Sequence, residues 1–198
     1  GGWAGHLEHL IADNRESRES WEIHRLHTAS GELDAFFSER SQDELRSGDV
    51  LEVSGVRVGS VVAGVAAEVS RSASTGPECS PIGEQRTAVL LTTFPGAPLP
   101  QATLQGVHDV FFNTAGKSLD SYWRDASYGP TYAAGDVFGW FTLDRDYDCQ
   151  ELGELREAAI RAADAQVDFR NYQRLFIIHP TPLDACSIGG VGTVGCLD

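Results

Sequence analysis

A change of pattern near residue 80 constrains the fold of this chain more than any other feature of its sequence. Before it, short runs of strand length follow one another; after it, apolar runs of strand length alternate with amphipathic helical stretches. The stretch 70–84 between them is rich in Ser, Gly and Pro, which is typical of an exposed linker. The sequence therefore predicts an α+β protein, with an all-β module at 1–69, a linker at 70–84 and an α/β domain at 85–198.

The first segment predicts a small sheet structure. Strand-length runs at 5–12, 20–27, 32–37 and 50–58 are separated by polar stretches or by turns such as Ser47-Gly48-Asp49. About five short strands at this spacing are typical of a meander or of a small barrel of OB (oligonucleotide/oligosaccharide-binding) shape. We do not expect an oligonucleotide-binding surface, because basic and stacking residues are sparse.

The second segment predicts strands that alternate with helices. Continuous apolar runs at 87–94 and 174–179 are typical of buried strands, and the glycines within 131–143 indicate one or two more. Helices are predicted at 100–112, at 119–125 after a Ser118 cap, and at 151–168. The alternation predicts an α/β layer.

The charge of the chain limits its partners. Its net charge is −14, with 15 basic residues against 29 acidic ones. Nucleic acids and anionic membranes are bound through basic patches, so we expect neither as a partner. The sequence also has no apolar run long enough to cross a membrane.

Four cysteines form an even set without a Cys-x-x-Cys pair, which favours disulfides in an oxidising, extracellular compartment. Cys186 and Cys196 flank a glycine-rich loop or hairpin that one bridge could close. Cys79 and Cys149 would then form the second bridge, although four cysteines permit three connectivities.

Two clusters of potential metal ligands stand out. His6 and His9 face a second pair, His24 and His27, on the next predicted strand, so a four-histidine site is conceivable. However, three-residue spacing within a strand directs the two rings to opposite faces, so we expect ordinary surface or packing histidines.

The second cluster is acidic, and its members are Asp144, Asp146, Asp148 and Glu151. Its spacing fails the EF-hand pattern, because Cys149 and Leu155 occupy the positions of the required glycine and glutamate. We expect a solvated loop in which Asp148 or Glu151 lies near the start of the following helix, with an irregular calcium site as the alternative.

Several phrases, taken in order, resemble the gametolysin-type secreted zinc metallopeptidases. The phrases are 87–94 (TAVLLTTF), 122–129 (YWRDASYG), 135–140 (GDVFGW), 175–180 (LFIIHP) and 186–196 (CSIGGVGTVGC). The resemblance runs from about residue 85 to 195, with a fainter echo in the β module.

The resemblance implies the amino-terminal portion of a secreted endopeptidase whose zinc-bound water attacks protein or peptide substrates. It implies a zincin-like upper subdomain, in which Gly190, Val191 and Gly192 lie beside the substrate cleft. The His-Glu-x-x-His motif that would hold zinc is absent from these residues, so no zinc ligand or catalytic residue is expected in this chain.

Two alternatives follow from the same residues. Cys79, in the linker, could instead act as a zymogen cysteine that occupies a zinc position until activation. The whole chain could also be a non-catalytic extracellular binding or adhesion protein with a protease-derived domain.

Overall fold

The computed structural model of the protein describes residues 1–14, 16–37, 45–70, 80–148, 151–180 and 188–193. It is a mixed structure in which sheet predominates over helix, consistent with the predicted α+β class. The strands are β1 (Gly2–Asn14), β2 (Ser20–Thr28), β3 (Gly31–Phe37), β4 (Val50–Val58), β5 (Val61–Ser70), β6 (Gly83–Thr93), β7 (Thr131–Thr142), β8 (Arg174–Ile178) and β9 (Ile188–Thr193). The helices are α1 (Leu104–Phe112), α2 (Leu119–Ala126) and α3 (Leu152–Ala163), with a 3-10 turn at Phe169–Asn171.

The chain divides into two compact units, of which the first contains Gly1–Cys79 and Ser187–Asp198. Its strands β1 to β5 pair in a closed ring, in the order β1-β2-β3-β5-β4 and back to β1. All of these pairings are antiparallel except that of β3 with β5. A single cluster of apolar side chains, including Leu7, Leu26 and Leu51, forms the core of this unit.

The second unit, Ser80–Cys186, contains a three-stranded parallel sheet in the order β7-β6-β8. Alternate residues of β6 point to opposite faces, as the geometry of a strand requires. Ala88 and Leu90 pack with α3 residues such as Ala159, whereas Val89 and Leu91 pack with Phe111 of α1. Helices therefore cover both faces of this sheet, as the predicted alternation of strands and helices requires.

The predicted helices differ from the structure at their ends. α1 begins at Leu104 instead of near 100, because the Thr103 hydroxyl caps it by accepting the Gly106 N–H. α3 ends at Ala163 instead of 168, and Val167 is buried beyond the helix. α2 begins after Ser118 as predicted, and reciprocal hydrogen bonds between Ser118 and Ser121 form a capping box.

One boundary of the predicted domains does not agree with the structure. The segment Ser187–Asp198 groups with the first unit and not with the α/β unit, because β9 pairs antiparallel with β1. The predicted linker is also shorter than 70–84, since β5 extends to Ser70 and β6 already begins at Gly83. The cysteine predictions cannot be placed, because Cys79, Cys149, Cys186 and Cys196 all lie outside the described residues.

Candidate metal centre

The register of the β1–β2 hairpin brings two histidines together on one face of the first unit. His9 pairs with His24, and their rings stack with centroids 4.5 Å apart and planes 29° apart. Both side chains are buried, and the His24 ring also meets the edge of Phe37 at 5.6 Å. Glu22 precedes His24 by two residues, so strand geometry places its side chain on the same face.

The Glu22 carboxylate lies close to both imidazoles. Its Oε2 atom is 3.4 Å from the Nε2 of His9 and 3.8 Å from the Nε2 of His24. Glu22 remains half exposed, with 49% of its side chain accessible, so this side of the group is open to solvent. Across the described part of the chain, these three residues are the only group of three or more potential ligands close enough to share a metal ion.

His9 is held in one orientation by the segment that precedes β4. Its Nδ1 lies 2.9 Å from the Leu45 carbonyl oxygen, which can only accept a hydrogen bond, so Nδ1 carries a proton. Its backbone N–H donates to Ser47 Oγ, and the Ser47 hydroxyl donates back to the His9 carbonyl. In the neutral imidazole these bonds leave the Nε2 of His9 as a lone-pair donor aimed toward Glu22.

The second histidine is held in its neutral form by its surroundings. Burial lowers the pKa of His24, and the neighbouring His9 lowers it further, whereas Glu22 acts in the opposite direction. Neutral imidazole is the form that binds metal ions. The Nε2 atoms of both histidines are buried and have no hydrogen-bond partner among the residues described.

The other histidine pair has a different environment. His6 pairs with His27 on the opposite face of the same hairpin, in agreement with the expectation that three-residue spacing separates the rings. The His27 Nε2 lies 3.2 Å from Glu8, and its Nδ1 lies 3.3 Å from Glu32. Both ring nitrogens of His27 therefore face carboxylates already, and His6 is exposed.

Sequence reasoning missed this centre because it considered the histidines of each strand separately and did not consider Glu22. The missing information was the register between the strands. His9 and His24 lie at equal distances along the chain from the middle of the turn that joins β1 to β2, as do His6 and His27. A tight hairpin centred on that polar turn would have paired them.

The acidic quartet is engaged by neighbouring side chains. Tyr147 donates a 2.6 Å hydrogen bond to Asp144 and thereby lowers the pKa of that carboxyl. Glu151 accepts hydrogen bonds from Arg145 and from the Asp148 N–H, and the bond from Arg145 is the main reason that its pKa is lowered. Arg145 also pairs with Glu154 and lies over the Tyr147 ring.

A calcium ion at this loop would compete with the Arg145 guanidinium, and the calcium site stays a prediction. Glu151 occupies the N-cap position of α3, but its side chain makes no capping hydrogen bond there. The expected role of this loop in helix capping is therefore limited to its position near the helix start.

The predicted cleft residues lie in β9. Gly190, Val191 and Gly192 pair in register with Asp13, Ala12 and Ile11 of β1. Within the described ranges β9 is an edge strand, since its only partner there is β1. Its placement beside a substrate cleft stays a prediction.

The zinc implied by the family resemblance does not fit the described helices. These helices contain one histidine, His108, whose ring packs against Phe112, and the sequence has no His-Glu-x-x-His. No catalytic step is therefore assigned to residues of this chain. None of the described helices has the length and apolar character needed to cross a membrane.

Comparisons of the chain with protein-family models, with curated proteins and with solved structures found no match.

Proposed function

We propose that this chain is the amino-terminal portion of a secreted zinc-dependent endopeptidase of the gametolysin type. The observation that carries the proposal is the placement of the family-like phrases on consecutive elements of one α/β unit. The phrase 87–94 begins within β6, 122–129 covers the end of α2, 135–140 lies within β7 and 175–180 begins in β8. Phrases that merely resembled the family by chance would have no reason to share one sheet and the helix that connects two of its strands.

The second unit supports this proposal as a scaffold. Its parallel sheet is rigid and covered by helices on both faces, and sites in such folds are built by segments added around the sheet. The proposal places the His-Glu-x-x-His motif in residues of the native protein that follow Asp198. Protein or peptide chains are the proposed substrates.

The first unit is proposed to be a barrel of OB type that precedes the peptidase unit. Support comes from its five-stranded closed ring, in which β3 and β5 are the parallel neighbours. Basic residues are few across the chain, which argues against an oligonucleotide as the ligand of this barrel.

The test uses the native secreted protein. Peptide mapping determines its sequence beyond Asp198, and hydrolysis of an unstructured protein substrate is measured before and after a zinc chelator. We expect a His-Glu-x-x-His motif, activity that the chelator abolishes and zinc restores, and loss of activity when the glutamate of that motif is replaced by glutamine. A native protein that ends near Asp198, or that hydrolyses no peptide bond, would overturn the proposal and favour the binding or adhesion alternative.

A further inference from the structure

The geometry points to a binding site for a zinc-class divalent transition-metal ion in the first unit, formed by His9, His24 and Glu22. The ligand atoms are the Nε2 atoms of the two histidines and a carboxylate oxygen of Glu22. This site is separate from the catalytic zinc of the proposed peptidase and does not depend on that proposal.

The first support is the pair of buried nitrogens. A buried polar atom without a hydrogen bond is uncommon and usually has a specific reason. Here two such atoms, the Nε2 atoms of His9 and His24, occur side by side and face the same carboxylate. A metal ion would satisfy both of them at once.

The second support is the spacing of the ligand atoms. With zinc-ligand bonds of about 2.0–2.1 Å, two ligand atoms of a tetrahedral site are roughly 3.3 Å apart. The His9–Glu22 distance of 3.4 Å matches this value, and the His24–Glu22 distance of 3.8 Å exceeds it by less than a rotation of an exposed side chain can correct. All three ligand atoms lie within 4.8 Å of one another.

The third support is the outer hydrogen bonding of His9. Histidines that bind metal ions usually donate their other ring N–H to a carbonyl or carboxylate, which fixes the tautomer and the ring orientation. The bond from His9 Nδ1 to the Leu45 carbonyl has this arrangement, and Ser47 fixes the backbone of the same residue. His9 is therefore already oriented for coordination.

The ligand types define the class of metal. Two imidazoles and one carboxylate suit zinc and its transition-metal neighbours, whereas calcium and magnesium prefer sites made only of oxygen atoms. Three protein ligands leave a fourth position, and the half-exposed Glu22 places that position toward solvent, where water can fill it. The ion would link β1 to β2.

The competing explanation is a metal-free ion pair. A proton on His9 Nε2 could be shared with Glu22, whose oxygen is 3.4 Å away. That proton would leave the buried Nε2 of His24 without a partner, since it lies 3.8 Å from the same oxygen. The two explanations differ in whether the chain binds zinc.

The test is calorimetric titration of Zn²⁺ into the untagged 198-residue chain, with free thiols alkylated so that cysteines do not contribute. We expect one Zn²⁺ per chain. H24Q should weaken binding at least a hundredfold and E22Q at least tenfold, because each removes one ligand. H6Q is the matched control, since His6 belongs to the equivalent cross-strand pair on the opposite face, and it should bind zinc like the unaltered chain.

Circular dichroism confirms that each variant is folded. If H24Q does not fold, the half-exposed position of E22Q still provides the test. Absence of zinc binding by the unaltered chain would overturn the inference in favour of the ion pair. Equal zinc affinity of the unaltered chain and E22Q would also overturn it.

Discussion

Asp120 is a charged side chain that is only 1% exposed, and two hydrogen bonds account for its burial. One carboxylate oxygen accepts the Ala133 N–H at 3.0 Å, and the other accepts Arg124 Nε at 2.9 Å. The residue thereby ties the start of α2 to β7. Because a buried carboxylate is tolerated only when it is paired, its partners carry its contribution to stability.

We predict that D120A lowers the free energy of unfolding of the second unit by about 2–3 kcal/mol, since it leaves the buried Ala133 N–H without an acceptor. Urea denaturation measures this change. D125A is the control, because Asp125 is exposed on the same helix, and it should change stability by less than about 0.5 kcal/mol. Equal effects of the two substitutions would contradict the role given to Asp120.

His179 makes the stability of the second unit depend on pH. Burial lowers the pKa of His179 below its ordinary value of 6.5, so the folded chain holds the imidazole neutral. Below about pH 6.5 the unfolded chain binds the proton first, and the free energy of unfolding falls as the pH decreases toward the folded pKa.

The corresponding prediction is that H179Q loses less stability than the unaltered chain between about pH 7.5 and about pH 5. The readout is the urea midpoint of both proteins at each pH, with metal ions removed. His24 is common to both proteins, so its own titration cancels in the difference. An equal or larger loss in H179Q would show that the imidazole of His179 is not held neutral by burial.

Among the elements, β1 is the strand that closes the ring of the first unit, and Gly5 lies where it is shared. Gly5 pairs with Thr28 of β2 on one side and with Leu51 of β4 on the other. A Cβ atom at this position would lie 2.2 Å from the His27 carbonyl oxygen. Only glycine permits this close approach of two backbones.

We therefore expect G5A to destabilise the first unit by roughly 3 kcal/mol or more, because the β1–β2 pairing must shift to relieve the overlap. Gly2 offers a matched control on the same strand, since a Cβ atom there would meet nothing closer than 4.0 Å. Thermal unfolding of G5A and G2A compares the two. A G5A protein as stable as G2A would mean that the ring is not closed as described.

The elements of this fold could largely be predicted from local sequence, whereas their partners could not. Ser118 lies before an amphipathic stretch and can cap a helix, and the structure has that helix. The pairing of β9 with β1 joins opposite ends of the chain, and no local pattern specifies such a pairing. For the same reason Glu22 and His9 could not be joined before the hairpin register was known.

At the scale of the whole molecule, the metal centre belongs to one unit only. His9, Glu22 and His24 all lie in the first unit, so zinc should stabilise that unit and leave the second unaffected. Zinc at a hundred times its dissociation constant stabilises the state that binds it by about 2.7 kcal/mol. For a unit of this size the expected rise in melting temperature is about 10 °C or more.

Differential scanning calorimetry of the chain with and without zinc measures this prediction. One transition should move to higher temperature, and the transition that D120A lowers should stay in place. H24Q should abolish the shift. A zinc-dependent shift of the D120A-sensitive transition would assign the metal to the second unit instead.

The most direct measurement for the central claim is X-ray diffraction from crystals of the chain grown with zinc, with data collected on both sides of the zinc absorption edge. The account predicts one strong anomalous peak about 2.0–2.1 Å from the Nε2 atoms of both His9 and His24, with Glu22 as the third protein ligand. Absence of a peak between these histidines, or a sole peak at the acidic loop of Asp144 and Glu151, would contradict it.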